Sequence, residues 1–225
     1  MTKVREIIER VTKTLQDPDF VRWTKEELLD WVSEAQIAIA RTPGAYGKAK
    51  VIPLVEGTQQ QLPADAWSLL TITRNFDEDG TPLTPVRLVT RSLLDTYYPK
   101  WHMVAQHPLV DNYVYDDRFP RLFSVFPPND GTGHVEVVYA GIPAEVVSDD
   151  ATLELDDTFI PAIVSYVLYR ATSKESDYAA GVQSATAWYQ SYTSELSQAM
   201  QLRGQVTPTA ALMPEQAVNP NGGTE

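Results

Sequence analysis

Apolar residues recur at helical spacing near the start of the chain. Residues 4 to 15 repeat them every three or four positions, which predicts an amphipathic helix ending at Pro18 in "DPD". A second helix is predicted from Thr24, because Thr24 and Glu27 match the S/T-x-x-E capping box. "TPG" at 42 to 44 is expected to end it. Its predicted buried stripe consists of Leu28, Trp31, Val32, Ala35 and Ile39.

From about residue 47 to residue 146 the apolar period changes to two, which predicts antiparallel strands. "DEDG" at 77 to 80 indicates a hairpin turn, and "RSLLDTYYPKW" at 91 to 101 indicates one short helix capped by Ser92. Six strands at this spacing favour a sandwich or a small barrel. The six segments are "KVIPLVEG", "SLLTITRNF", "TPVRLVTR", "DNYVYDD", "RLFSVFPP" and "GHVEVVYAG".

A pair of helices is predicted between about residues 157 and 202, and it is rich in tyrosine. Tyrosine combines apolar area with a hydrogen-bonding tip, so that it suits contacts between subunits as well as a core. The residues predicted to bind a partner here are Tyr166, Tyr169, Tyr189 and Tyr192.

The last stretch, residues 204 to 225, contains three prolines, few charges and no hydrophobic period. Proline lowers the entropy of the free chain, so such a segment is suited to lie extended along a partner. The alternative is an unstructured terminus without a role. The tail residues predicted to bind a partner are Val206, Pro208, Leu212, Met213, Pro214 and Val218.

These elements predict an α+β protein. Helices from both termini form a bundle, an antiparallel β-sandwich or barrel-like domain is inserted between them, and an extended C-terminal tail follows. The predicted boundaries are 1–46 for the N-terminal helices, 47–150 for the β domain, 151–203 for the C-terminal helix pair and 204–225 for the tail.

The composition disfavours several classes of protein. Thirty acidic and 18 basic residues give a net charge of −12, the opposite of what a nucleic-acid-binding protein needs. The charge suits either a wall that DNA passes without sticking or an ordinary solvated surface. The chain has no cysteine, which excludes disulfides and thiolate metal sites. No apolar run approaches the ~20 residues of a membrane span, so we expect synthesis in the cytoplasm and no membrane contact.

No constellation of catalytic or metal-binding residues is visible. His102, His107 and His134 lack the i, i+4 partner of a helical metal site. A calcium loop starting at Asp77 would place Leu88 where its acidic twelfth ligand belongs. Neither G-x-S-x-G nor a phosphate-binding glycine loop occurs. We therefore expect no enzyme activity, no cofactor and no bound metal.

Aromatic residues of the β region allow two interpretations. They line a sugar-binding face, or alternate members fill the core, which is the interpretation we favour. The residues concerned are Tyr97, Tyr98, Trp101, Tyr113, Tyr115, Phe119, Phe123 and Phe126.

Several stretches, in this order, resemble a family of phage head-to-tail adaptor (head completion, or connector) proteins. They are "WTKEELLDWVSEAQIAI", "QLPADAWSLLTITRN", "DG", "RLVTRSLLDTYYPKWH", "YVYDDRFPRLFSVFPP", "VEVVYAGIP" and "DDTFIPAIVSYVLYRATSKESDYA". Each motif alone is weak, whereas their joint order over about residues 20 to 200 is fairly specific.

The resemblance implies a structural protein of the virion at the head–tail interface. Such adaptors form a ring, expected to have twelve subunits, which joins the portal protein to the tail or nozzle protein. DNA passes through the ring without sequence-specific binding, and the last region of similar adaptors docks onto the portal. The competing classes are a tail or baseplate module that binds cell-surface carbohydrate, and a small hydrolase. The helices are too short and lack sustained a/d heptads, which counts against a baseplate stalk, and the missing catalytic motifs count against a hydrolase.

Overall fold

A computed structural model of the protein describes residues 2–174 and 179–206. These residues form five α-helices and two four-stranded sheets, which confirms the α+β class. The chain divides into two units. The helical unit takes the described residues of Met1–Ala35 and Val146–Glu225, and the β unit is Gln36–Glu145.

The predicted helices are present, with small differences at their ends. The helices are α1 (Val4–Leu15), α2 (Lys25–Ala40), α3 (Arg91–Tyr97), α4 (Ile160–Ser173) and α5 (Ala179–Val206). Helix α5 continues two residues beyond Gly204, and Val206 is its last residue. Helix α4 packs against α1 and against α5.

Helix α1 buries the stripe that its sequence predicts, including Ile7 and Val11. It ends at Gln16, which adopts the left-handed conformation with φ 56°. Asp17 then holds the connection to α2, because its carboxylate accepts hydrogen bonds from the backbone N–H groups of residues 21 to 23 at 2.9–3.1 Å. Burial alone raises the pKa of Asp17, but these hydrogen bonds outweigh it and the pKa lies below its ordinary value.

The capping box of α2 is confirmed. The backbone N–H of Glu27 donates to Thr24 Oγ1 at 3.3 Å, and the backbone N–H of Thr24 donates to Glu27 Oε2 at 3.1 Å. Glu27 also forms an ion pair with Lys174 at the end of α4, which lowers the pKa of Glu27. All residues of the predicted stripe are buried: Leu28, Trp31, Val32, Ala35 and Ile39.

The strands of the β unit are β1 (Lys48–Pro53), β2 (Gly57–Gln61), β3 (Ala66–Phe76), β4 (Pro82–Pro85), β5 (Arg87–Leu88), β6 (Asn112–Tyr115), β7 (Leu122–Asn129) and β8 (His134–Gly141). They form two sheets with the strand orders β1-β8-β3-β4 and β2-β7-β6-β5. Each order has two edge strands, so of the two predicted alternatives, a sandwich or a barrel, the described residues do not form a closed barrel. Buried side chains from both sheets form one hydrophobic cluster.

The turn predicted at 77 to 80 is confirmed. It joins β3 to β4, and the Asp77 N–H donates to Thr81 O at 3.1 Å while Gly80 takes a positive φ of 80°. Buried residues on neighbouring strands mark the register of each sheet. Leu69 of β3 lies opposite Tyr139 of β8, and Tyr113 of β6 lies opposite Val125 of β7.

Three details of the β unit correct the sequence prediction. The described residues contain eight strands rather than six. Strand β2 is glutamine-rich and carries no apolar alternation, and the predicted segment "TPVRLVTR" is divided between β4 and β5. Strands β5 and β6 are parallel, so the strands are not all antiparallel. The N-cap of α3 is Thr90 and not Ser92. The segment predicted as one helix is broken near Pro99 into α3 and a 3₁₀ turn, Trp101–Met103.

Candidate interaction surfaces

The C-terminal helix pair begins at a well-defined turn. Asp156 Oδ1 accepts a hydrogen bond from the Thr158 N–H at 2.9 Å, which lowers the pKa of Asp156, and Pro161 occupies the first turn of α4. Helix α4 then buries one face that includes Ile163 and Val167. The two tyrosines of α4, Tyr166 and Tyr169, are half-buried.

The structure brings the four predicted tyrosines together between α4 and α5. Ring centroids are 5.2 Å apart for Tyr166 and Tyr192 and for Tyr169 and Tyr189, and 6.0 Å apart within each helix. Tyr192 is buried, and this burial raises its pKa. Tyr189 remains 48% exposed. The aromatic content is therefore explained in part by contacts within the chain, while the partner-binding role of the four residues stays a prediction.

An open groove of about 410 Å³ lies beside the exposed ring of Tyr189. It runs between the end of α4 and the start of α5, and its lining is mainly apolar and uncharged: Tyr169, Ser173, Val182, Ala185, Thr186 and Tyr189. Aromatic side chains such as those of Tyr169 and Tyr189 are enriched at protein–protein contact surfaces.

The predicted tail sites fall mostly outside the described residues. Val206 ends α5. The other five lie beyond it, so their partner-binding role is untested: Pro208, Leu212, Met213, Pro214 and Val218.

A larger groove of about 950 Å³ lies on the β unit. Exposed Phe119 forms part of its rim, next to the ion pair of Asp116 and Arg118. Arg118 Nη2 donates to Asp116 Oδ2 at 2.7 Å and Arg118 Nε donates to Oδ1 at 3.0 Å, which lowers the pKa of Asp116 to about 2. Outward-facing apolar residues of the second sheet, such as Leu88 and Leu122, line the groove.

The aromatic residues of the β region divide between the two interpretations. Trp101, Tyr113 and Phe123 are buried, as a core role requires. Tyr97, Tyr98 and Phe119 are exposed by more than half of their surface. Neither interpretation accounts for the whole set.

Three buried amides fasten the loops of the β unit, and the sequence analysis missed them. Gln60 exchanges hydrogen bonds of 2.7 Å with both backbone groups of Val55. Asn75 pairs with both backbone groups of Val110 at 2.8 and 3.0 Å. Asn129 is fully buried and reaches two further loops. The one available signal was a polar amide within or beside a predicted apolar strand.

The histidines occupy three unrelated places. The His102 ring lies against Trp101 and its Nδ1 is 3.1 Å from Thr58 Oγ1, while His107 Nδ1 accepts from the Leu109 N–H at 3.0 Å. Within residues 2–174 and 179–206, no group of three His, Asp or Glu side chains is placed to hold a metal ion. None of the helices described there is long and apolar enough to cross a membrane.

Comparison with known families decides the class of the protein. Residues 2–214 match the family model described as SU10 adaptor protein. This chain belongs to the SU10 adaptor protein family. The predicted resemblance to phage head–tail adaptors is thereby confirmed. No curated protein sequence matches the chain.

Membership of the SU10 adaptor family has three direct consequences. The protein is a structural component of a phage virion. The family implies a non-enzymatic role. It also implies contacts with other virion components, such as the portal and the tail.

Proposed function

We propose that this adaptor forms a ring of twelve subunits at the head–tail interface, where it joins the portal to the tail or nozzle protein and continues the DNA channel. The observation that carries the proposal is the family match over residues 2–214. It spans both structural units, so the likeness is not confined to one common domain.

The charge of the chain supports a role as a conduit. A net charge of −12 disfavours tight binding of phosphate backbones, because such binding depends on Lys and Arg. Several basic side chains are also neutralised within the helical unit. Lys25 pairs with Asp149 at 2.7 Å, and Arg170 pairs with Glu34. DNA would then pass through the ring without sequence-specific binding.

We propose that the tail attaches the ring to the portal, as in similar adaptors. It leaves from the end of α5 and spaces apolar residues between prolines. Deleting 207–225 should leave the melting temperature unchanged but abolish co-purification with the portal protein. A truncated chain that still binds the portal would refute the role of the tail. Protection of the tail from protease in the virion, but not in the free subunit, is a second expected result.

A phage with a stop codon early in the gene tests the proposed function. We expect DNA-filled heads that carry portals but no tails and that leak their DNA, with normal virions restored in a suppressor host. Infectious virions that lack the protein would overturn the proposal.

Recognition of cell-surface carbohydrate is the second candidate function. It is favoured by one observation, the open groove with Phe119 at its rim beside the Asp116–Arg118 pair. If it holds, Phe119→Ala should abolish retention on a host-polysaccharide column, and Tyr97→Ala should not. Absence of binding by the parent protein would remove this candidate.

A further inference from the structure

Helix α5 is nearly free of charge. In a chain in which 21% of residues are charged, its 28 residues include one acid, Glu195, and one base, Arg203. Solvated helix faces usually carry many Glu and Lys side chains. The exposed surface of α5 instead consists of Ser, Thr, Gln and apolar residues.

Few side chains of α5 are fully buried within the described part of the chain. Ala185, Tyr192 and Ala199 are the buried residues of this helix, spaced seven apart in one stripe. The stripe faces α4 through Tyr192, which contacts Tyr166. Two further stripes flank it, one on each side.

One of these stripes, the apolar seam, has the spacing of a coiled-coil contact. Its residues alternate in steps of four and three, which keeps them on one side of a helix, and none of them is charged. Val182 and Tyr189 are 49% and 48% exposed, although Tyr189 also contacts Tyr169 of α4, so about half of each side chain is left to contact a partner. The apolar seam consists of Val182, Thr186, Tyr189, Thr193, Leu196 and Met200.

The other stripe, the opposite flank, follows the same spacing. At 3.6 residues per turn it lies roughly 160° around the helix axis from the apolar seam. Glu195 is its only charged residue, and Leu202 is 55% exposed. The opposite flank consists of Ser184, Trp188, Ser191, Glu195, Gln198 and Leu202.

We propose that the occupant of the apolar seam is the opposite flank of α5 in a second copy of this chain. Two copies that each carry a net charge of −12 repel one another, and α5 offers them surfaces that bring almost no charge into contact. The contact joins unlike faces and is therefore heterologous, so it propagates by rotation. For helices that stand parallel to the axis of a closed ring of twelve, the two contacts made by each subunit lie about 150° apart, close to the roughly 160° between the two stripes. The inference rests on the proposed ring and names its subunit contact.

A charge placed in the seam tests the contact. Thr193 is exposed, so Thr193→Glu should fold and melt like the parent chain, yet it would bury a carboxylate facing the Glu195 side of the next copy. We expect this variant to keep the 25.1 kDa mass of a single chain, with and without the portal protein of the same virus. The matched control is Gln190→Glu, on the outward face of α5, and it should assemble as the parent does.

Cysteine cross-linking gives an independent readout, since the chain has no cysteine of its own. A chain with both Thr193→Cys and Ser191→Cys should form a disulfide-linked ladder of copies on oxidation. Thr193→Cys alone should form none, because the contact joins unlike faces. A dimer of the single variant would indicate seam-to-seam pairing and overturn the proposal.

The outcomes separate this inference from the proposed function. Suppose that the parent and Thr193→Glu assemble equally well, and that the double cysteine variant forms no ladder. The proposed α5 contact is then wrong, whereas the proposed ring is not contradicted. If the parent remains a single chain with and without the portal protein, the proposed ring and the proposed α5 contact are both refuted.

Discussion

Removing the side chain of Asn129 should destabilise the β unit strongly. Its Nδ2 donates to the carbonyl oxygens of His107 and Pro108 at 3.1 and 2.9 Å. Its Oδ1 accepts from the N–H groups of Gly131 and Gly133 at 2.9 and 3.2 Å. The residue is fully buried, and one amide therefore fastens two loops that lie more than 20 residues apart in sequence.

The magnitude follows from the groups that Asn129→Ala leaves behind. A buried donor or acceptor without a partner costs ~1–3 kcal/mol, and the substitution leaves the buried N–H of Gly133 in this state. It also removes the hydrogen bonds to the carbonyls of His107 and Pro108, each worth ~0.5–1.5 kcal/mol. We expect a loss of about 3 kcal/mol in the free energy of unfolding. For a chain of this size that corresponds to a fall in melting temperature of roughly 6–12 °C.

Thermal unfolding followed by circular dichroism measures the effect. The control is Asn112→Ala, the same chemical change at a half-buried position of β6, where the loss should stay below ~0.5 kcal/mol. Equal melting temperatures for the two variants would show that the Asn129 hydrogen bonds do not hold the loops, and would refute the reasoning.

Three further predictions concern the same two units. Trp31 is buried in α2, so Trp31→Ala should lower the free energy of unfolding, measured in urea, by ~3–5 kcal/mol. Lys25→Ala should lower it by less than ~1 kcal/mol, and equal stabilities of the two variants would contradict the buried position of Trp31. A Cβ on Gly133 would lie 2.2 Å from Pro108 O, so Gly133→Ala should yield little folded protein, and a parent-like melt would contradict this contact. The Lys174 hydrogen bond lowers the folded-state pKa of Glu27 below 4.5, so this stabilisation is present above about pH 4.5 and lost in acid. The melting-temperature gap between parent and Glu27→Gln should therefore close as the pH falls below about 4.5, and a gap that widens in acid would be inconsistent with the ion pair.

The helices could be predicted from the sequence because their signals are local. The capping box needs only Thr24 and Glu27, and the buried stripe of α2 follows from spacing within a single helix. The tyrosine cluster could be predicted only in part. Spacing shows that Tyr166 and Tyr169 share a face, but it does not show which residues of the next helix they meet.

The arrangement of the β unit depends on contacts between distant residues. The parallel pairing of β5 with β6 joins segments about 25 residues apart, and no local pattern specifies it. Asn75 hydrogen-bonds to Val110, which is 35 residues away in sequence. The residues around Asn75 therefore do not distinguish it from any other asparagine at the end of a strand. The low number of charged residues in α5 can be read from the sequence. Which of its uncharged residues are buried and which are exposed cannot, because this depends on how α5 packs against α4.

The mass of the assembly tests the central claim most directly. Native mass spectrometry of the purified protein, alone and with the portal protein of the same virus, measures it. The proposed function predicts a species with the mass of twelve 25.1 kDa chains, free or bound to the portal. A protein that stays a single chain under both conditions would contradict the proposal that this adaptor forms the ring between head and tail.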